Sequence, residues 1–551
     1  MKKNNLQTSQ TLGIAYENHK KGNLELAKSL YEKVLKIDSN NFEAIFLLGS
    51  LFLQTKNFQE AIHYLNKCIL IQPKHANSYQ NLGYAFVEIG EFEKAKGLFF
   101  KAIEIEPNHA DAYFNLANTF KQMRNFKKAQ EFYEKTIQIQ PNNPSAHNNY
   151  GNICKQLGEF EKAIASYNRA IELKSDHPRA HHNLGNTYNQ LGEYSKAITS
   201  FKRAYQHQPF NLESLYNWSD LDNGILDLKL KKNINLIMKN KQLPKKYSAY
   251  GNFLFAKYEL AKHNYEEEFN YLEKGHIDYF NSKKIFFEKG VNYWLKDLPK
   301  TKELENISKK EIDNDTKPIF IVGVPRCGST VVEKVIASGS KSIPIGEECS
   351  VINTFIGDKI LKKESLNFDI IDLKNQLNNK YRELGLLKKE SDHIFTDKTL
   401  DNFFFLDIIK EIFPKAKVIN CKRNPISSIM SILKNNLGDV AWAHQLEHIF
   451  LYFDIYHVKM NNFKNKYPDF IYDLIFEDFQ SDPENESKKI MKFCNLPWDK
   501  KCLEFHKRKD LISYTASHSQ IRKPIYKISK DKNKPYKGML SKHGSKYNWF
   551  N

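Results

Sequence analysis

The chain has 551 residues, too many for one ordinary domain, and its 41% hydrophobic and 27% charged content suits several cores beneath a polar surface. A net charge of +19, from 83 Lys+Arg against 64 Asp+Glu, favours anionic partners; no RNA- or DNA-binding signature accompanies it, so nucleic acid is a poor fit. No stretch approaches the roughly 20 apolar residues of a membrane span, and seven scattered cysteines without a CxxC pair argue against disulfides or zinc and for reduced thiols in a cytoplasm.

In the first 211 residues a pattern recurs every 34. Small residues stand at Ala15, Gly49, Gly83, Ala117, Gly151 and Gly185, and an alanine follows twelve positions later each time, from Ala27 to Ala197. Pro73, Pro107, Pro141 and Pro209 close four units, with Ser39 and Ser175 in the other two, and bulky Tyr31, Phe99, Tyr133, Tyr167 and Phe201 lie between the small positions. The spacing predicts two antiparallel helices per unit: small residues permit close approach, an aromatic fills the space beside them, and proline ends the second helix. This resembles the tetratricopeptide repeat, with six units over about residues 8–211. The resemblance implies a concave surface that takes a peptide or protein, or a spacer or oligomerisation stem; the oligomeric state stays open, a homodimer included.

From Leu212 to about Lys310 the register decays while helical periodicity persists. Residues 253–279, with Ala256, Leu260, Tyr265, Phe269 and Leu272, read as a degenerate repeat in a helical adaptor over 212–315, and the charged segment 300–317 reads as a linker. The expected architecture is thus an all-α repeat solenoid (1–211), the adaptor, and an α/β domain with a parallel sheet (316–551).

That last domain opens with Ile319-Phe320-Ile321-Val322, a short apolar run suited to a buried parallel strand. It leads into Gly323-Val-Pro-Arg-Cys-Gly-Ser-Thr330 and then Val331, Val332, Val335 and Ile336 at helical spacing. A strand, a glycine loop and a helix start together aim backbone amides at a phosphate. Ser329 stands where a nucleoside triphosphatase needs lysine, and the loop's cation is Arg326, so the loop is poorly equipped for phosphoryl transfer from ATP. A second strand-to-helix unit begins at Ala416 and runs through Cys421, Arg423 and Pro425 into a helix over 426–433; Arg423 falls at the strand end and Ser431 eight residues on.

Pro325-Arg-Cys-Gly-Ser-Thr330 resembles the 5′-phosphosulfate loop of sulfotransferases that use 3′-phosphoadenosine 5′-phosphosulfate (PAPS), with Cys327 and Ser329 as mild departures. Arg423 and Ser431 resemble that family's 3′-phosphate element. Gly346-Glu347-Glu348 resembles the acidic motif of tyrosylprotein sulfotransferases and bacterial relatives, where one glutamate is the catalytic base; the tyrosylprotein pattern matches Glu348, and many bacterial relatives match Glu347. Asp397-Lys398-Thr399 resembles the segment whose lysine meets the bridging oxygen as charge develops there. Phe476-Glu-Asp-Phe479 resembles a further family segment with phenylalanine in place of the usual tyrosine, and the stretch 515–524 resembles the nucleotide cover, with Ser517 and Lys532 as donor contacts.

The resemblance implies a repeat-fused, metal-free sulfotransferase. Arg326, Cys327, Gly328, Ser329, Thr330, Arg423, Ser431, Ser517 and Lys532 would hold PAPS, or the product 3′-phosphoadenosine 5′-phosphate (PAP). Glu348 or Glu347, with Arg326 and Lys398, would carry the chemistry. The acceptor it suggests is a protein tyrosine. The alternatives are a carbohydrate or small-molecule hydroxyl, or a repeat scaffold whose nucleotide domain is inactive.

Overall fold

A computed structural model of the chain describes residues 2–300, 316–362, 364, 369–387, 393–508, 511, 520–526 and 532–550. Six helix pairs occupy the front of the chain, from Lys2–Lys20 with Leu24–Ile37 to Pro178–Leu191 with Tyr194–His207. Helices ending at Ile71, Ile105, Ile139 and His207 stop two residues before Pro73, Pro107, Pro141 and Pro209, which cannot extend them.

The small-residue rule has a direct steric basis. A Cβ added to Gly83, Gly151 or Gly185 would stand 2.7 Å from the ring of Phe99, Tyr167 or Phe201, and one at Gly49 would stand 3.1 Å from Leu65. Each aromatic on the second helix of a pair therefore lies on bare backbone of the first, fully buried. The buried phenols of the repeats find partners: Tyr133 donates to Asn118 at 2.6 Å, Tyr167 to Asn152 at 2.8 Å, and Tyr31 Oη lies 3.2 Å from His19 Nδ1.

The chain divides into two compact units, Met1–Thr187 with Thr199–His207, and Tyr188–Ile198 with Gln208–Asn551. In the second unit, helices α1 (Lys245–Ala261) and α2 (Tyr265–Ser282) form the long pair of the adaptor. Here the packing is reversed, because Phe253 on the first helix lies on Gly275 of the second, 2.4 Å from where a Cβ would stand. The predicted linker falls for the most part outside the described residues.

Beyond it lies a four-stranded sheet in the order β2-β1-β3-β4, with β1 Ile319–Gly323, β2 Thr396–Asp397, β3 Lys417–Lys422 and β4 Ile471–Ile475, every pairing parallel. Strand β1 is buried along its whole length, which is why it reads as an unbroken apolar run, and β3 is buried along its middle, Asn420 included. Helix α3 (Ser329–Ala337) follows β1, and helix α4 (Pro425–Asn435) follows β3. Chain connections leave β1 toward β2 and return on its other side to β3, so the crevice between the ends of β1 and β3 is the topological switch point, where ligands of open α/β sheets bind.

Candidate active site

Gly323 and Cys421 pair across β1 and β3, and the residues just beyond them meet in the crevice. Arg423 donates from Nη1 to the carbonyl of Arg326 at 2.8 Å, and Arg326 donates from Nε to Ser431 Oγ at 3.0 Å. Arg326 holds a left-handed backbone (φ 71°), which turns the loop so that its carbonyl faces Arg423. Burial and the neighbouring Arg423 charge lower its guanidinium to about 10, still protonated at neutral pH. Two guanidinium groups held this close repel one another, and an anion between them would relieve the repulsion.

Gly328 begins α3 with φ 95°, and a Cβ there would collide with the ring of Phe476 at 2.3 Å. The phenylalanine thus packs the loop from below, and Arg423 lies over the same ring at 5.7 Å. Cys327 is fully buried and turns its thiol toward Cys421; hydrogen bonding to that thiol, with Ser329 and Lys398 assisting against burial, lowers its pKa. Ser329 and Thr330 are also buried, so what this loop can offer a ligand is chiefly Arg326 and the first-turn amides of α3.

A cavity of about 500 Å³ opens here, lined by Arg326, Arg423, Ser431, Lys434, Lys523 and Lys532 among others, and among the described residues its lining contains no aspartate or glutamate. A lining with this many cations suits an anionic ligand. Lys532 lines this cavity; Ser517 lies outside the described residues.

The acidic motif meets the lysine motif side by side. Lys398 N donates to the carbonyl of Gly346 at 3.0 Å and Glu348 N to that of Lys398 at 3.0 Å, a parallel bridge that extends the sheet. Gly346 makes the approach possible, since a Cβ there would stand 2.3 Å from the carbonyl oxygen of Thr396. The Lys398 ammonium, 1% exposed, lies 2.7 Å from Glu348 Oε1 and 3.5 Å from Glu347 Oε1. Burial opposes its charge, but the carboxylates of Glu348, Glu347 and Glu333 outweigh that and raise its pKa. Lys398 is also close enough for its charge to bear on the Cys327 thiol, which links this pair to the phosphate loop.

Sequence reasoning missed the layer beneath. Glu333 and Lys334 on α3 are fully buried: Lys334 pairs with Glu333 at 3.4 Å and Glu347 at 3.3 Å, and Glu333 accepts from Thr396 Oγ1 at 2.8 Å. Burial raises the Glu333 carboxyl toward about 7. Lys334 is thus committed to carboxylates and does not replace the lysine a triphosphatase loop would have. The one signal available was a charged dipeptide between apolar neighbours on both sides, which reads as a solvated helix face. Among the described residues no cluster of His, Cys, Asp or Glu could hold a metal, and no helix is long and apolar enough to cross a membrane.

A parallel α/β sheet with a glycine loop at its switch point and paired arginines is an arrangement suited to holding an anion. Residues 318–500 match the model of the sulfotransferase family, and tetratricopeptide-repeat models match 19–83, 76–109, 110–143, 132–165, 151–192 and 178–211. The chain carries a sulfotransferase domain behind a tetratricopeptide-repeat region. An uncharacterized protein of Aquifex aeolicus (strain VF5) is 27% identical over 330 residues, 56% of this chain; the chain spans 42% of that relative's length. Among solved structures, YrrB, a TPR protein with an unusual peptide-binding site, is 19% identical over 34% of this chain and 96% of its own (TM-score 0.29). PilF of Pseudomonas aeruginosa is 18% identical over 40% of this chain and 99% of its own (TM-score 0.36).

Proposed function

We propose that the protein transfers a sulfuryl group from PAPS to a hydroxyl acceptor, a protein tyrosine being the acceptor class that fits best. The observation that carries this reading is the meeting of Arg326, Arg423 and Ser431 in one cation-lined cavity, with Lys398, the partner of Glu348, near enough for its charge to reach Cys327 of the same loop. PAPS supplies the sulfuryl group and, at each end, an anion for the cavity. Arg326 and the first-turn amides of α3 hold the 5′ end, and Arg423 with Ser431 holds the 3′-phosphate. Of the two glutamates, Glu348 is the base: its side chain is 42% exposed, whereas Glu347 is 3% exposed between two lysines. Glu348 takes the hydroxyl proton as the acceptor oxygen bonds to sulfur. Lys398 and Arg326 stabilise the charge left on the 5′-phosphate as its bond to sulfur breaks.

For the acceptor, the support is the match of the acidic motif to the tyrosylprotein pattern and a repeat region of a kind that holds peptides. The chain's excess of basic residues suits an acidic sequence around the target. The decisive experiment supplies labelled PAPS and a panel of tyrosine peptides, sugars and phenols to the purified chain, wild type and Arg326→Ala. Label should reach an acceptor with the wild type and not with the variant. Absence of nucleotide binding, or full turnover by Arg326→Ala, would overturn the reading.

A further inference from the structure

Part of the wall of the cavity comes from well before the sulfotransferase match. Leu260, His263 and Tyr265 line it, and all three belong to the elbow between α1 and α2 of the adaptor. The elbow turns on His263, which holds a left-handed backbone (φ 59°), and its ring lies 3.2 Å from Tyr265 Oη.

Several ties fix this elbow in place. Glu268, one turn into α2 and 2% exposed, receives Lys434 Nζ on Oε1 at 2.8 Å and Tyr536 Oη on Oε2 at 2.6 Å. Lys434 also donates to Tyr536 Oη at 2.8 Å, and Tyr265 meets the Tyr536 ring edge-on at 5.6 Å. Both Lys434 and Tyr536 line the cavity. Two more adaptor side chains hold the end of α4, the helix that carries Ser431. Tyr216 Oη donates to the Lys434 carbonyl at 2.9 Å and His276 Nε2 to that of Leu433 at 2.8 Å. These are among the last four carbonyls, which a helix cannot satisfy internally. The adaptor therefore caps the helix that carries the proposed phosphate site, and it presents its own elbow to the same space.

The chemistry of the elbow differs from that of the loop ends of β1 and β3. A leucine, an imidazole and a phenol offer flat, weakly polar area, suited to a base and its ribose, whereas the arginines suit phosphate. Building on the nucleotide reading above, we infer that the adaptor is part of the donor site: Leu260, His263 and Tyr265 contact the nucleoside portion of the bound nucleotide. Glu268 acts as a positioning residue that holds Lys434 and Tyr536 at the rim.

The test is PAP titrated into the full-length protein by calorimetry, wild type against Leu260→Ala/His263→Gly. Both changes suit their sites, because Leu260 is exposed near the end of α1 and glycine accepts the positive φ of residue 263. The double variant should bind PAP at least about tenfold more weakly, with an apo melting temperature within about 2 °C of wild type. In turnover its donor KM should rise while kcat and acceptor KM hold. If the double variant melts lower, His263→Gly alone is held to the same criterion. An unchanged PAP affinity in a folded variant overturns the elbow's role alone, whereas a wild type that binds no PAP overturns the nucleotide reading and this inference with it.

Discussion

Glu347 is 3% exposed between Lys334 and Lys398, while Glu348, one residue on, leaves 42% of its side chain accessible and pairs with Lys398. Adjacent carboxylates are thus split between a buried charge cluster and an accessible surface, and their substitutions should separate in kind. Glu348→Gln should lower kcat by about 10²- to 10⁴-fold with PAP affinity kept, as loss of a general base does. Glu347→Gln removes the carboxylate shared by two buried lysines and should cost about 3 kcal/mol or more in stability, read as a lower denaturation midpoint in urea. Equal stability of the two variants would contradict the assignment. The sequence offered both glutamates as candidates on equal terms, because exposure is a property of neighbours and Lys334 had no legible role.

At the scale of elements, the repeats were the most legible part of the chain. A 34-residue spacing of small and large residues is a local rule, and the contacts it predicts, such as Tyr167 on Gly151, are made within one helix pair. Gly151→Ala places a methyl 2.7 Å from that ring and should destabilise the first unit by about 1–3 kcal/mol. Tyr167→Leu in the same chain should restore part of the loss, since an added Cβ would stand 3.1 Å from leucine at the Gly49–Leu65 pair against 2.7 Å from the ring here; thermal melts of the single and double variants decide it. The adaptor obeys no such rule, and its contacts with α4 join residues far apart in the chain.

One of those contacts titrates. His276 is buried between the Leu433 carbonyl and His444, and burial lowers its pKa to about 4. The unfolded chain protonates near 6.5, so this residue contributes stability above that pH and loses it as pH falls from about 6.5 to 4, by at most about 3 kcal/mol. His444, lowered by burial and by His276, adds to the same acid limb. His276→Gln keeps a donor for Leu433 without titrating, and should flatten stability across that range in denaturation at stepped pH; an unchanged slope would show that the pair does not couple folding to pH.

The molecule as a whole is two compact units whose boundary falls in the last repeat, with the adaptor packed in the same unit as the sheet. Separate cores unfold separately, so scanning calorimetry should resolve more than one transition. PAP should raise the transition of the second unit and leave the other where it is. A single transition shifted whole by the ligand would contradict that division.

What the sequence by itself determined was what repeats or stays local: the helix pairs, the strands β1 and β3, and the glycine loop. Strand β2 escaped because two residues carry no periodicity. Only the tertiary structure decided that Arg326 and Arg423 touch, that Glu333 and Lys334 are buried, and that an adaptor elbow lines the cavity. The physical reason is that burial and the pairing of charges depend on which distant segments share a space, and no spacing along one chain encodes that distance.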